Sequence, residues 1–155
     1  MSLRFTGIVR KLSVLLSLLL LPVAARAAGL VDFVDGVIPE APPNAAVMAG
    51  YGRIRNATDG PVRIYAAASP DFERVEFHRT TMEDGVMRMQ KLGGFAVPVG
   101  GWLEFQRGGM HLMLIGPRRA LHAGDLVQVE FSYAAPAPIK ATFEVRREVS
   151  PGGAN

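Results

Sequence analysis

The sequence predicts an all-β domain folded as a two-sheet sandwich, and three observations carry that expectation. Beyond residue 27, no window longer than ten residues shows a helical stripe. Short stretches that alternate apolar with polar residues, or that are rich in β-branched and aromatic residues, recur instead. Turn-forming residues separate these stretches at close intervals, as in Asp59-Gly60-Pro61, Ser69-Pro70-Asp71, Asp84-Gly85, Gly93-Gly94, Gly100-Gly101, Gly108-Gly109 and Gly124-Asp125.

The elements follow in chain order. Residues 28–45 contain Pro39, Pro42 and Pro43 and show little periodicity, so they read as an irregular lead-in with a short edge strand at 30–34. Strands are expected at 51–55, 62–66, 74–80, 86–92, 102–105, 110–115, 127–133 and 141–147. Seven or eight strands at this spacing suit two packed sheets. The last residues, 150–155, are expected to be a loose tail.

Residues 1–27 read as a targeting segment. Arg4, Arg10 and Lys11 precede an apolar stretch over 12–21, Pro22 ends it, and Ala25-Arg26-Ala27 supplies a small-x-small cleavage pattern. The apolar stretch is shorter than the ~20 residues needed to span a bilayer. We therefore expect a Sec-type signal cut after Ala27, a periplasmic location, and a chain that is not integral to the membrane after cleavage. The mature domain is expected over 28–149.

Composition removes several function classes. The sequence has 155 residues and no Cys. Disulfide scaffolds, thiolate metal sites, thiol catalysis and lipid attachment through Cys are therefore excluded. The pI of 9.7 suggests a basic protein suited to nucleic acid, but residues 28–155 hold 13 basic and 14 acidic side chains. The positive balance belongs to the leader, and nucleic-acid binding is not expected. No Ser-His-Asp order, phosphate-binding glycine loop or nicotinamide fingerprint is present, and the protein is not expected to be an enzyme.

The residue types that carry chemistry are His and Met. His111 and Met113 alternate with Leu112 and Leu114, so they share the face of a strand opposite the apolar one. His78 alternates in the same way with Val75 and Phe77. Asp84-Gly85 signals a two-residue hairpin. With that loop Met89 opposes Thr80; with Glu83-Asp84 as the loop it opposes His78. Either register leaves His78 and Met89 on one face. Two imidazoles and two thioethers form a soft, neutral donor set that favours Cu(I) over hard cations, and the absence of thiolate argues against a blue-copper centre. Taken singly, each Met reads more naturally as core filling. Met87 shares a face with Met89 but is expected to pack. Met82 and Met110 are further neighbours of the candidate ligands. Trp102 and Phe105 are expected in the core, and His122 in an exposed turn. Asn56-Ala57-Thr58 matches a glycosylation sequon.

The spacing of these residues resembles that of the PCu(A)C-type periplasmic copper chaperones: a His, ten residues, a Met, twenty-one residues, then His-x-Met. Here the positions are His78, Met89, His111 and Met113, within the flanks Arg74-Val-Glu-Phe-His78, Glu83-Asp-Gly-Val-Met-Arg-Met89 and Gly108-Gly-Met-His-Leu-Met-Leu114. The resemblance runs from about Tyr51 to Val145. It implies a cupredoxin-like (immunoglobulin-like) β-sandwich and one Cu(I) per chain. It also implies a monomeric carrier that delivers copper to the cytochrome oxidase copper-site subunit or to another copper chaperone. Two alternatives stand beside the carrier: a periplasmic copper buffer or resistance protein, and a structural β-sandwich without metal. The position after the first His, often Met in the family, is Arg79 here, and residues 149–155 lack His and Met, so no second site is expected in the tail.

Overall fold

The computed structural model describes residues 31–148. The expected leader, its cleavage point and the loose tail lie outside these residues. The described residues form ten strands: β1 (Val31–Pro39), β2 (Val47–Asn56), β3 (Val62–Ala68), β4 (Phe72–Glu83), β5 (Val86–Leu92), β6 (Phe95–Val97), β7 (Trp102–Phe105), β8 (Met110–Pro117), β9 (Leu126–Tyr133) and β10 (Ile139–Arg146). Among the described residues no helix is long and apolar enough to cross a membrane.

The strands run in the order β5-β4-β8-β2-β1-β10-β9-β3-β6, with β7 on β2. Ala67 of β3 also pairs with Val75 of β4, which brings the sheet back on itself and closes an all-β, cupredoxin-like sandwich. Every expected strand is found, mostly a few residues longer. Two expectations fail. β1 is not a short edge strand within an irregular lead-in: it runs to Pro39 between β2, antiparallel, and β10, parallel. Its alternation is hidden because the pairing with β2 shifts between Val34 and Val37, where Asp35 takes a φ of 56°, and a bulge swaps the faces of the residues beyond it. β6 was not expected, since three residues are too few to show a period.

The interior follows from alternation. Phe77, Leu112, Leu114, Val127, Val129, Phe131, Phe143 and Val145 are buried on strands whose intervening residues face outward. Phe33 packs its ring against those of Phe143 and Phe131 at 4.7 and 5.1 Å, and Phe77 meets Phe95 edge-on at 4.9 Å. Such pairs contribute about 0.5–1.5 kcal/mol each beyond area burial. Phe105 is in this core as expected. Trp102 is not: it is half exposed, lying beneath the guanidinium groups of Arg53 and Arg55. A tryptophan can face water in this way when its π face is covered by cations.

Asn56 closes β2 and is fully buried. Its Nδ2 donates to the carbonyls of Gly60, Val97 and Pro98, and its Oδ1 accepts from the Thr58 N–H and hydroxyl. The sequon is thus a turn lock, with its amide nitrogen committed to the interior.

Candidate metal site

Three adjacent strands, β5-β4-β8, carry the candidate residues. Asp84 and Gly85 both take positive φ, 52° and 76°, as the hairpin turn that matches strand twist requires. This fixes the register with Glu83 opposite Val86 and Met89 opposite Thr80, the first of the two registers the sequence allows. On the other side of β4, His78 lies directly opposite His111, and Glu76 opposite Met113. The structure therefore brings His78, Met89, His111 and Met113 to one face: a central pair of imidazoles, ring centroids 6.0 Å apart, with Met113 beside it on β8 and Met89 diagonal to it on β5.

Burial is graded across this face. His111 is buried, His78 and Met113 are partly so, and Met89 is 57% exposed. The imidazoles are fixed from below, and one thioether stands at the solvent side.

The hydrogen bonds set the tautomers. Nδ1 of His111 lies 3.2 Å from the Gly109 carbonyl. A carbonyl only accepts, so Nδ1–H donates and Nε2 keeps its lone pair. The same carbonyl accepts the Thr80 N–H at 3.0 Å, tying the loop before β8 to β4. Nε2 of His78 lies 3.0 Å from Glu76 Oε2. Glu76 is an ionised acceptor, so Nε2–H donates and the lone pair of His78 is on Nδ1. Among the buried side-chain nitrogen and oxygen atoms of the described residues, that Nδ1 alone has no hydrogen-bond partner. A buried polar atom left unpaired costs about 1–3 kcal/mol, and an electrophile that takes the lone pair removes the cost. Each imidazole thus offers one unprotonated nitrogen, the state in which His ligates a metal.

Glu76 was missed by the sequence reading, although its i, i+2 relation to His78 was visible. The hydrogen bond from His78, then that from Lys91 (2.6 Å), holds its carboxyl below the ordinary value of 4.5. A carboxylate with a depressed folded pKa stabilises above its unfolded value and loses that contribution as pH falls through the folded one. Glu76→Gln is therefore expected to lower stability at pH ~7 and to have little effect at pH ~2–3, where both forms are neutral. Urea midpoints at the two pH values test this, and equal losses at both would refute it.

The remaining candidates separate clearly. Met110 is buried in the core, and its sulfur accepts from Arg79 at 3.5 Å. Arg79, on the alternate face of β4, offers nothing to the His pair. His122 is in an exposed turn 3.8 Å from Glu40, as expected. Met87 does not pack: it and Met82 are each 64% exposed. Groups of three or more His, Cys, Asp or Glu placed to hold a metal are absent among the described residues; the thioethers of Met89 and Met113 are the soft donors that share the face of the His pair.

Solved structures share the fold. A copper-bound PCuAC domain from PmoF2 aligns with TM-score 0.65 at 16% identity, covering 77% of this chain and 95% of that one. Apo-DR1885 from Deinococcus radiodurans aligns with TM-score 0.58 at 26% identity, covering 77% and 80%. Its CuI form aligns at 0.60 and 24% identity, covering 77% and 78%. In sequence, "Putative lipoprotein Lxx21020" of Leifsonia xyli subsp. xyli is 31% identical over 126 residues, 77% of this chain and 75% of that protein. The family described as "Putative lipoprotein LpqE-like" matches residues 31–145, nearly the whole of the described β-domain, and the chain is a member of that LpqE-like family, built on the PCuAC fold.

Proposed function

We propose that the protein is a periplasmic, non-enzymatic Cu(I) carrier that binds one ion through His78, Met89, His111 and Met113. The observation that carries the reading is the pair of facing imidazoles, each with an unprotonated nitrogen, one of them buried and unpartnered, flanked by two thioethers. The solved relatives titled as copper-bound support it. Two neutral imidazoles and two neutral thioethers suit a soft monovalent ion. Glu76, hydrogen-bonded to His78, supplies nearby negative charge, part of which Lys91 balances. Such outer partners orient a ligating His and raise its basicity.

The graded burial suits transfer. Met89, exposed and weakly binding, is the ligand a partner displaces first, while His111 keeps its place in the sheet. We propose that the ion is handed on by ligand exchange to the cytochrome oxidase copper-site subunit or to another copper chaperone. The domain leaves the cell interior on its N-terminal signal, cut after Ala27, and works over 28–149 as a monomer. X-ray absorption of the Cu(I) form should show both sulfur and nitrogen neighbours; a spectrum without sulfur refutes the site. Deleting the gene should lower the copper content of cytochrome oxidase. A fully loaded oxidase together with copper sensitivity would point to a buffer instead.

Protons compete for imidazole but not for thioether. Cu(I) affinity should fall as acid protonates the imidazoles, by up to ~100-fold per pH unit where two protons must leave before the ion binds. Replacing either His78 or His111 by Met should halve that logarithmic slope. The measurement is competition against a Cu(I) chelator corrected for its own protonation, and a profile that stays flat to the acid limit of the folded protein would remove imidazole from the shell.

A further inference from the structure

The hairpin tip carries more thioether than the four-residue set uses. Met82 and Met87 are direct cross-strand partners, one step outward from Thr80 and Met89. The pair flanking a two-residue loop, here Glu83 and Val86, is of the hydrogen-bonded kind. Met82–Met87 and Thr80–Met89 therefore fall on non-hydrogen-bonded positions, where Cα atoms are about 4.5 Å apart and side chains are closer. Alternation places Met82, Met87 and Met89 on the same face as His78 and His111. All three are more than half exposed, so filling a core does not account for them. The other face of the same hairpin carries one exposed apolar side chain, Val86 at the turn, and is otherwise polar: Thr81, Glu83, Arg88 and Gln90, with Glu83 and Arg88 paired at 3.2 Å.

We infer that Met82, Met87 and Met89 form an outer, thioether-only receiving position for Cu(I), from which the ion moves inward to His78, His111 and Met113. This rests on the four-ligand reading of the inner site. Three neutral sulfurs select a soft monovalent ion and give hard cations nothing to hold. Met89 belongs to both sets, so the chain holds one ion, in either position. The move releases the Met82 and Met87 sulfurs and engages the lone pairs of His78 Nδ1, His111 Nε2 and the Met113 sulfur. Copper stays monovalent, and the nitrogens engaged are those not committed to Glu76 or the Gly109 carbonyl, so with neutral imidazoles no proton is transferred.

The test uses the purified protein with 13C-methyl methionine, loaded from a Cu(I)–bicinchoninate complex. Met82→Leu/Met87→Leu, at exposed positions, should leave the equilibrium affinity unchanged while slowing loading by about tenfold. In His111→Asn, which disables the inner site, Cu(I) should shift the Met82, Met87 and Met89 methyl resonances together. An unchanged loading rate in the double variant, or unmoved Met82 and Met87 methyls in a folded His111→Asn protein, overturns the inference. Failure of the inner site is visible separately: the Met113 methyl and the imidazole resonances of the unaltered protein would ignore Cu(I).

Discussion

Met89→Leu/Met113→Leu is expected to weaken Cu(I) binding by about a hundredfold or more, since even the outer partners of metal ligands change affinity by ~10–100-fold. The double variant removes both sulfurs of the proposed set. What remains is the imidazole pair, with Glu76 bound to His78 and Lys91. Leucine conserves volume, and swaps of this kind usually cost under about 1.5 kcal/mol. Met89 is largely exposed and Met113 partly so, so the fold should persist and the loss should be confined to the metal. Competition with a chromophoric Cu(I) chelator measures the affinity, and circular dichroism checks the fold. An unaltered affinity would place the sulfur ligands elsewhere, with Met82 and Met87 as the next thioethers on that face.

The second large effect concerns the fold. Asn56→Asp is expected to destabilise by about 3 kcal/mol or more, because a buried carbonyl that loses its donor costs about 1–3 kcal/mol. The carbonyls of Val97 and Pro98 accept from the Asn56 amide, and that of Gly60 shares it with the Thr58 hydroxyl. An aspartate would face them with an acceptor, and burying its charge unpaired is more costly still. The melting temperature should fall by roughly 10 °C or more, and a change within experimental error would contradict the assigned network. Thr58→Ala, which removes a hydroxyl that donates to Asn56 Oδ1 or the Gly60 carbonyl and accepts the Gly60 N–H at 3.4 Å, should cost about 1 kcal/mol.

What the sequence could convey about this molecule was what lies within a few residues along the chain. Alternation of Leu112 and Leu114 with His111 and Met113 fixed a face, because the period of a strand is two and one side must be buried. Asp84-Gly85 narrowed the hairpin to two registers, because only residues tolerant of positive φ make that turn. The neighbourhood of His78 and His111 was of another kind. It depends on β4 lying beside β8, a pairing across more than thirty residues that no local pattern encodes; the family spacing supplied it. β1 was misplaced because its bulge interrupts the period. Trp102 was placed inside on composition alone, whereas two arginines from the neighbouring strand cover it at the surface. Glu76 was overlooked because a lone carboxylate beside a His has no signature until the hydrogen bond fixes which nitrogen is free.

The parallel pairing of β1 with β10 also has a kinetic side. Gly36 sits opposite Phe143, so the first and last strands of the domain are immediate neighbours although about a hundred residues separate them. Until β10 is available, one flank of β1 has no partner, and the loop that must close is nearly the whole of the described β-domain. Contacts of such long range make folding slow. A chain emerging from a ribosome therefore cannot complete this sandwich until β10 has arrived. The same pairing that seals the finished domain delays its completion.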